Sequence, residues 1–252
     1  MATIPAKVQQ RFQDGMKKYK KILSKAQSQD INESDTVTII TDMLQDVFGY
    51  EKYSEITSEF AIKKTFCDLA IKLDDTVKLL IEVKSAGMSL KDLHLKQAID
   101  YGANAGIDWV VLTNGVVWKV YKIIFSKPID HELVYEFDFT QLNAKKQEDI
   151  EYLYMLSRES LNKTAKSTLQ DFHCQKQFVN KYIIGQIMLT DDAATFIRKA
   201  IKKISAEAKP TVEEIQAIIE DEILKREVLE DHKSDEAKKL VQKAMKKPKA
   251  DK

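Results

Sequence analysis

The stretch TFCDLAIKLDDTVKLLIEVK, residues 65–84, decides the fold. It holds two runs rich in aliphatic and β-branched residues on either side of Asp74-Asp75, which is the pattern of two strands joined by a tight turn. Asp68 interrupts the first run, while Glu82 and Lys84 close the second. Side chains alternate across a strand, so Glu82 and Lys84 share one face of the sheet. Whether Asp68 joins them depends on register. A three-residue loop, Asp74 to Thr76 with Leu73 opposite Val77, sets Asp68 opposite Glu82. A two-residue loop at Asp74 and Asp75 sets Asp68 opposite Ile81, and the acids then part to different faces unless a bulge corrects the register.

Upstream, ITSEFAIKK (56–64) reads as another strand, preceded by a helix capped at Asn32, Ser34 or Asp35 and ending at Gly49. That helix carries Val37, Ile40, Met43, Leu44, Val47 and Phe48 as a stripe for packing on a sheet. Before it, Val8, Phe12, Met16 and Tyr19 recur at helical spacing in a polar, lysine-rich segment, residues 1–30, expected as a helical arm. Downstream, SLKDLHLKQAIDYGANAG predicts a helix from an N-cap at Ser89, with Asp92 three residues on, to Gly106. IDWVVLT and VVWKVYKIIF follow as strands around Asn114-Gly115, a strong hairpin signal. Beyond about residue 140 strand patterning gives way to helical stripes at 145–161, 168–189, 191–205, 211–230 and 234–246. Thr211 with Glu214 marks a firm helix start. The end, KKPKADK, is a basic tail expected to be flexible.

At 252 residues, with 44% hydrophobic and 31% charged residues, the chain can bury a core and exceeds one usual domain. A formal charge of +1 gives no overall basic field, so any nucleic-acid contact must come from local patches. Two cysteines, Cys67 and Cys174, exclude a disulfide framework. No apolar run is long enough for a membrane span and the start lacks a signal-like core, so no membrane association and a cytoplasmic location are expected.

Acid-x-lysine also occurs at Glu207/Lys209, Asp231/Lys233 and Glu236/Lys238, so the tripeptide alone says little. Those copies lie in charge-rich helical sequence, whereas Glu82 and Lys84 end an apolar strand, where unpaired charge is costly. Mg²⁺ takes carboxylate oxygens and keeps waters, one of which can attack a phosphodiester, and Lys84 can assist electrostatically. A structural ion pair among Asp68, Glu82 and Lys84 explains the strand context equally well. Leu93, Gln97 and Tyr101 share one helical face, and Gln97 among apolar neighbours needs a polar partner; a half-exposed helix face is the rival explanation. Thr113, Asn114 and Gly115 read as turn structure, Trp109 and Trp118 as packing, and Cys67 as core. Glu59 is a minor site candidate, and Lys63 and Lys64 are either phosphate contacts or a solvated edge. The histidines His94, His131, His173 and His232 show no metal spacing.

Asp68, the strand IEVK, Gln97 and Tyr101 on the next helix, and WVVLTNGVVWKVY together resemble the N-terminal nuclease domain of type I restriction enzyme R (HsdR) subunits, of the PD-(D/E)XK superfamily, over about residues 31–125. The resemblance implies an α/β fold, a restriction-endonuclease-like mixed central sheet flanked by helices, here followed by an α-helical C-terminal region. It implies that Asp68 and Glu82 ligate Mg²⁺, with Mn²⁺ as a substitute and the Val83 carbonyl completing the set. Lys84 becomes the catalytic lysine, Glu33 the acidic helix residue many members add, and Gln97 the glutamine of the family's Q-xxx-Y motif. The family's helicase motor needs a GxxxxGK[ST] loop, which is absent from this sequence, so a standalone nuclease or a small component is expected.

The segments expected are an arm over 1–30, a nuclease-like domain over 31–140, a helical region over 141–246 and a tail over 247–252. The function expected is Mg²⁺-dependent DNA endonuclease, in restriction or phage defence. The rival is a catalytically silent DNA-binding or protein-interaction module keeping the fold. The C-terminal helices, for instance through Val212, Ile215, Ile219 and Ile223, are candidates for homo-oligomer or partner contacts.

Overall fold

The computed structural model describes residues 4–62, 65–162 and 168–245. Two helices, α1 (Ala6–Ser28) and α2 (Glu33–Asp46), precede strands β1 (Ile56–Ile62), β2 (Thr65–Leu73) and β3 (Thr76–Val83). Helix α3 (Asp92–Ala105) leads to β4 (Trp109–Thr113), β5 (Val117–Ile124) and β6 (Asp130–Asp138). The six strands form one sheet in sequence order. Only β3 and β4 run parallel, with α3 as their crossover.

Each face of the sheet has its own helical cover. Phe12, Tyr19 and Leu23 of α1 and Ile40, Met43 and Leu44 of α2 pack with Leu69, Ile71, Ile81, Val83 and Trp118. Leu95, Ala98 and Tyr101 of α3 cover Ala70, Leu80, Val110, Leu112 and Tyr121 on the other side. The alternation of Leu80 with Ile81 and of Val110 with Val111 between the two clusters shows why β3 and β4 read as continuous apolar runs: a strand buried on both faces has no polar side.

Compaction groups the chain differently from the expected segments. One unit ends at His173 and the second begins at Cys174. Residues 6–28 are no separate arm, because Val8, Phe12, Met16, Tyr19 and Leu23 are all buried in the same core as the sheet. Nor does the first unit stop near 140: α4 (Gln147–Met155) and α5 (Arg158–Leu161) give Ile150, Leu153 and Leu161 to that core, and α6 (Thr168–Phe178) adds Leu169. Three ties fasten this stretch: Tyr50 Oη donates to the Leu156 carbonyl at 2.6 Å, Arg158 pairs with Glu55, and Arg11 pairs with Glu159 through two hydrogen bonds.

Strand β6 was not among the expected elements. Asp130, His131 and Glu136 are exposed and Glu132 half-buried, which dilutes the apolar signal, but Val134, Tyr135 and Phe137 are buried. Helix α3 starts at Asp92 with Lys91 as its N-cap, not at Ser89. Asn114-Gly115 does close a hairpin, yet the innermost pair is Thr113 with Trp118, so the loop is wider than a two-residue turn. Gly115 adopts φ +84°, where a Cβ would also sit 2.8 Å from Leu23 Cδ2.

The second unit is helical: α7 (Lys181–Met188), α8 (Asp191–Ile204), α9 (Val212–Ile218), a π-helical turn (Ile219–Ile223), α10 (Arg226–Glu230) and α11 (His232–Met245). The stretch expected as one helix over 168–189 breaks because the Asn180 side chain accepts from Tyr182 N and Ile183 N and starts α7 anew. The Thr211–Glu214 capping box forms as expected, with bonds of 3.1 and 2.8 Å. The stripe Val212, Ile215, Ile219, Ile223 is not left open: Ile215 and Ile219 bury against Ala194, and the π turn carries Ile223 out to solvent. Among the described residues no helix is long and apolar enough to cross a membrane. Lys63, Lys64, the side chain of Glu59 and the tail at 247–252 lie outside what is described.

Candidate metal-ion centre

The β2–β3 hairpin turns on two residues, Asp74 and Asp75, both at positive φ (48° and 59°), with Leu73 paired to Thr76. That loop alone would put Asp68 and Glu82 on different faces. A bulge repairs the register: Lys72 pairs with Val77 but Ile71 pairs with Leu79, leaving Lys78 as the extra residue. From there Ala70 opposes Leu80 and Leu69 opposes Ile81, which carries Asp68 level with Glu82. The geometry of the site therefore depends on one unpaired residue roughly 14 Å back along β3 from Glu82, at a rise of about 3.4 Å per residue.

At the end of β3 the backbone turns to side-chain partners. Asp68 Oδ2 accepts from the Val83 N–H at 2.6 Å, and the Lys84 N–H donates to the Thr113 carbonyl at 2.8 Å, continuing the parallel ladder. Glu82 is 5% exposed. Its Oε1 accepts from Lys84 Nζ at 2.9 Å, while its Oε2 is buried with no hydrogen-bond partner. Lys84 Nζ also reaches Glu33 Oε2 at 3.3 Å. Glu33 is the first residue of α2, whose N-cap Asn32 accepts from Asp35 N and so fixes where that turn begins.

Glu33, Asp68, Glu82 and Lys84 thus form one cluster. Val83 gives its N–H to Asp68 and its side chain to the α1–α2 core. Gln97 is exposed on α3, and its Nε2 donates to the Tyr101 hydroxyl at 2.8 Å, one turn along. Cys67 is fully buried, its Sγ 3.3 Å from the Ile81 carbonyl.

The charges are out of balance. Three carboxylates face one ammonium, which leaves two negative charges uncompensated when all are ionised. Burial, with Asp68 adding to it, pushes the Glu82 carboxyl up to about 7, against the pull of Lys84. Burial likewise raises Asp68, opposed by the Val83 N–H and by Lys84. Burial works against the charge of Lys84, but Glu82, Glu33 and Asp68 outweigh it and raise that group as well. An anionic cluster whose one buried member, Glu82, keeps an orphaned carboxylate oxygen is a donor arrangement that a divalent cation satisfies.

The donor set limits which ion fits. Among the described residues no three His, Cys, Asp or Glu side chains are arranged to hold a metal. Zn²⁺ and Ca²⁺ need fuller protein cages, whereas Mg²⁺ keeps several waters and takes one or two carboxylates with substrate phosphates. Asp68 and Glu82 fit that smaller demand.

In the sequence Thr113 and Asn114 read as turn residues only. Both are buried. Asn114 Oδ1 accepts from Val116 N and Val117 N, and its Nδ2 donates to the Met88 carbonyl at 2.9 Å, tying the loop after Lys84 to the β4–β5 hairpin. The one available signal was an amide side chain in a Thr-Asn-Gly turn between two apolar strands, which a turn explains without further work.

Residues 38–152 match a family model described as type I restriction enzyme R protein N terminus (HSDR_N). No curated protein matches the chain, and no solved structure does either.

Proposed function

Starting from a segment, residues 38–152, that is HsdR N-terminal-domain-like, we propose that this protein is a Mg²⁺-dependent endonuclease of PD-(D/E)XK type that hydrolyses DNA phosphodiester bonds in restriction or phage defence. The single observation that carries the reading is the buried Glu82 carboxylate, level with Asp68, with Lys84 on one oxygen and nothing on the other.

Asp68 and Glu82 would hold the ion, and the Val83 carbonyl is the third ligand the family pattern supplies. A bound Mg²⁺ lowers the pKa of a coordinated water and offsets charge developing on the phosphate. The chain's own groups do the rest. The Val83 N–H holds Asp68 Oδ2 in place, so that this carboxylate needs no rearrangement to bind. Lys84, its side chain only 15% exposed and its Nζ held between Glu82 and Glu33, is positioned to donate to an anionic oxygen in the same pocket of charge. Glu33, exposed at the start of α2, shares the Lys84 ammonium with Glu82, and the role of Gln97, which bonds to Tyr101, rests on the family pattern alone.

Asp68→Ala tests the reading on supercoiled and linear DNA with Mg²⁺ or Mn²⁺. Cleavage should fall at least about 100-fold while DNA retention persists. Wild-type protein that cuts no DNA form with either ion overturns it, and leaves the silent binding module.

A further inference from the structure

The geometry points to a second, non-catalytic nucleic-acid contact: the outer face of α8, through Lys199, Lys202, Lys203 and Phe196, takes the phosphodiester backbone and an unpaired base of a DNA strand. Helix α8 divides sharply. Ala194, Ile197 and Ile201, spaced by three and four, turn inward onto Ile215 and Ile219. Phe196, Lys199 and Lys203, also spaced by three and four, turn the other way with Lys202 beside them.

Cations and an aromatic ring share this face. Lys199, Lys202 and Lys203 are exposed, and among the described residues none has an ion-pair partner. The acidic residues of the helix, Asp191 and Asp192, sit in its first turn; Asp192, four residues before Phe196, lies on this face ahead of the ring, and the three lysines follow with no acidic residue among them. Helix-dipole compensation accounts for lysines in the last turn, but it does not account for Phe196, an aromatic side chain left 72% exposed about one turn before Lys199. Cations that track phosphates combined with an aromatic platform for a base are the two elements of single-strand binding. Arg198, half-buried and engaged electrostatically with Glu213, is left out of the patch.

The choice of DNA as the polyanion rests on the proposed nuclease reading, and binding measured without divalent ions keeps the two apart. The full-length protein is titrated with a thymidine oligonucleotide and with duplex in EDTA over a range of salt. K199Q/K202Q/K203Q should reduce the slope of log affinity against log salt by about 2 to 3 and weaken binding by about tenfold or more. Phe196→Ala should weaken the single strand by about tenfold with the slope kept. The matched control K238Q/K239Q/K243Q on α11 should change neither. An unchanged slope in the α8 variant, an equal fall in the control, or loss of binding to phosphatidylserine vesicles with DNA binding intact each overturns the proposal. K199Q alone, expected to lower the slope by about 1, guards against a folding defect in the triple variant. Loss of cleavage in Asp68→Ala with the slope unaltered leaves this inference standing, so the two readings fail separately.

Discussion

Replacing Glu82 by glutamine should stabilise the metal-free protein at pH 8 and leave it nearly unchanged at pH 5. The folded protein holds the Glu82 proton up to about pH 7, whereas the ordinary value is 4.5. Between those values the folded state binds more protons than the unfolded one, so stability falls as pH rises through the window and stays low above it. At about 1.4 kcal/mol per pH unit the full penalty is about 3 kcal/mol, an order-of-magnitude figure for a buried carboxylate. The glutamine side chain carries no charge and keeps an acceptor for Lys84, although the bond loses its charge assistance, which offsets about 1 kcal/mol. A net gain of about 2 kcal/mol corresponds to a Tm rise of about 4 to 8 °C for a chain of this size. Thermal unfolding followed by circular dichroism, in chelator at both pH values, reads the effect. An equal shift at pH 5 and pH 8, or destabilisation at pH 8, refutes the claim that Glu82 is a buried carboxylate short of a cation.

Lys84→Ala strips the ammonium from Glu82 Oε1 and leaves a buried charge alone, so urea unfolding at pH 8 should show a loss of about 3 kcal/mol that shrinks at pH 5, where Glu82 is protonated. The same variant should cut DNA about 100-fold more slowly than wild type in Mg²⁺. Gly115→Ala places a Cβ at φ +84° and 2.8 Å from the buried Leu23 side chain, and should lower stability by about 1 to 3 kcal/mol in urea titration.

Much of this was legible in residues 65–84, and the part that was not has a definite cause. Period-two alternation puts Glu82 and Lys84 on one face whatever the register. The place of Asp68 hangs on Lys78, and nothing in VKLLIEVK marks one residue as the bulge; a two-residue turn at Asp74-Asp75 and an in-register acid pair look incompatible until the extra residue is seen. Glu33 lies far from Glu82 in sequence, and only the family resemblance placed it at the site. β6 hid because its outward positions are largely polar, and the N-terminal helix, legible as a helix, was expected as an arm because its lysine-rich surface outweighs a stripe that is buried in the core. In the second unit the apolar spacing of 211–230 suggested one open stripe, whereas the helix uses most of it on α8 and spends the remainder in a π turn.

Calorimetric titration of Mg²⁺, with Mn²⁺ in parallel, at pH 6 in two buffers of different ionisation heat tests the central claim most directly. Binding to one site, with release of close to about one proton per ion from Glu82, is the result expected for wild type, and Glu82→Gln should abolish the proton release while Asp68→Asn weakens the ion. Heat and proton release that are absent in wild type, or unaltered by both substitutions, would contradict a cation site built on Asp68 and Glu82.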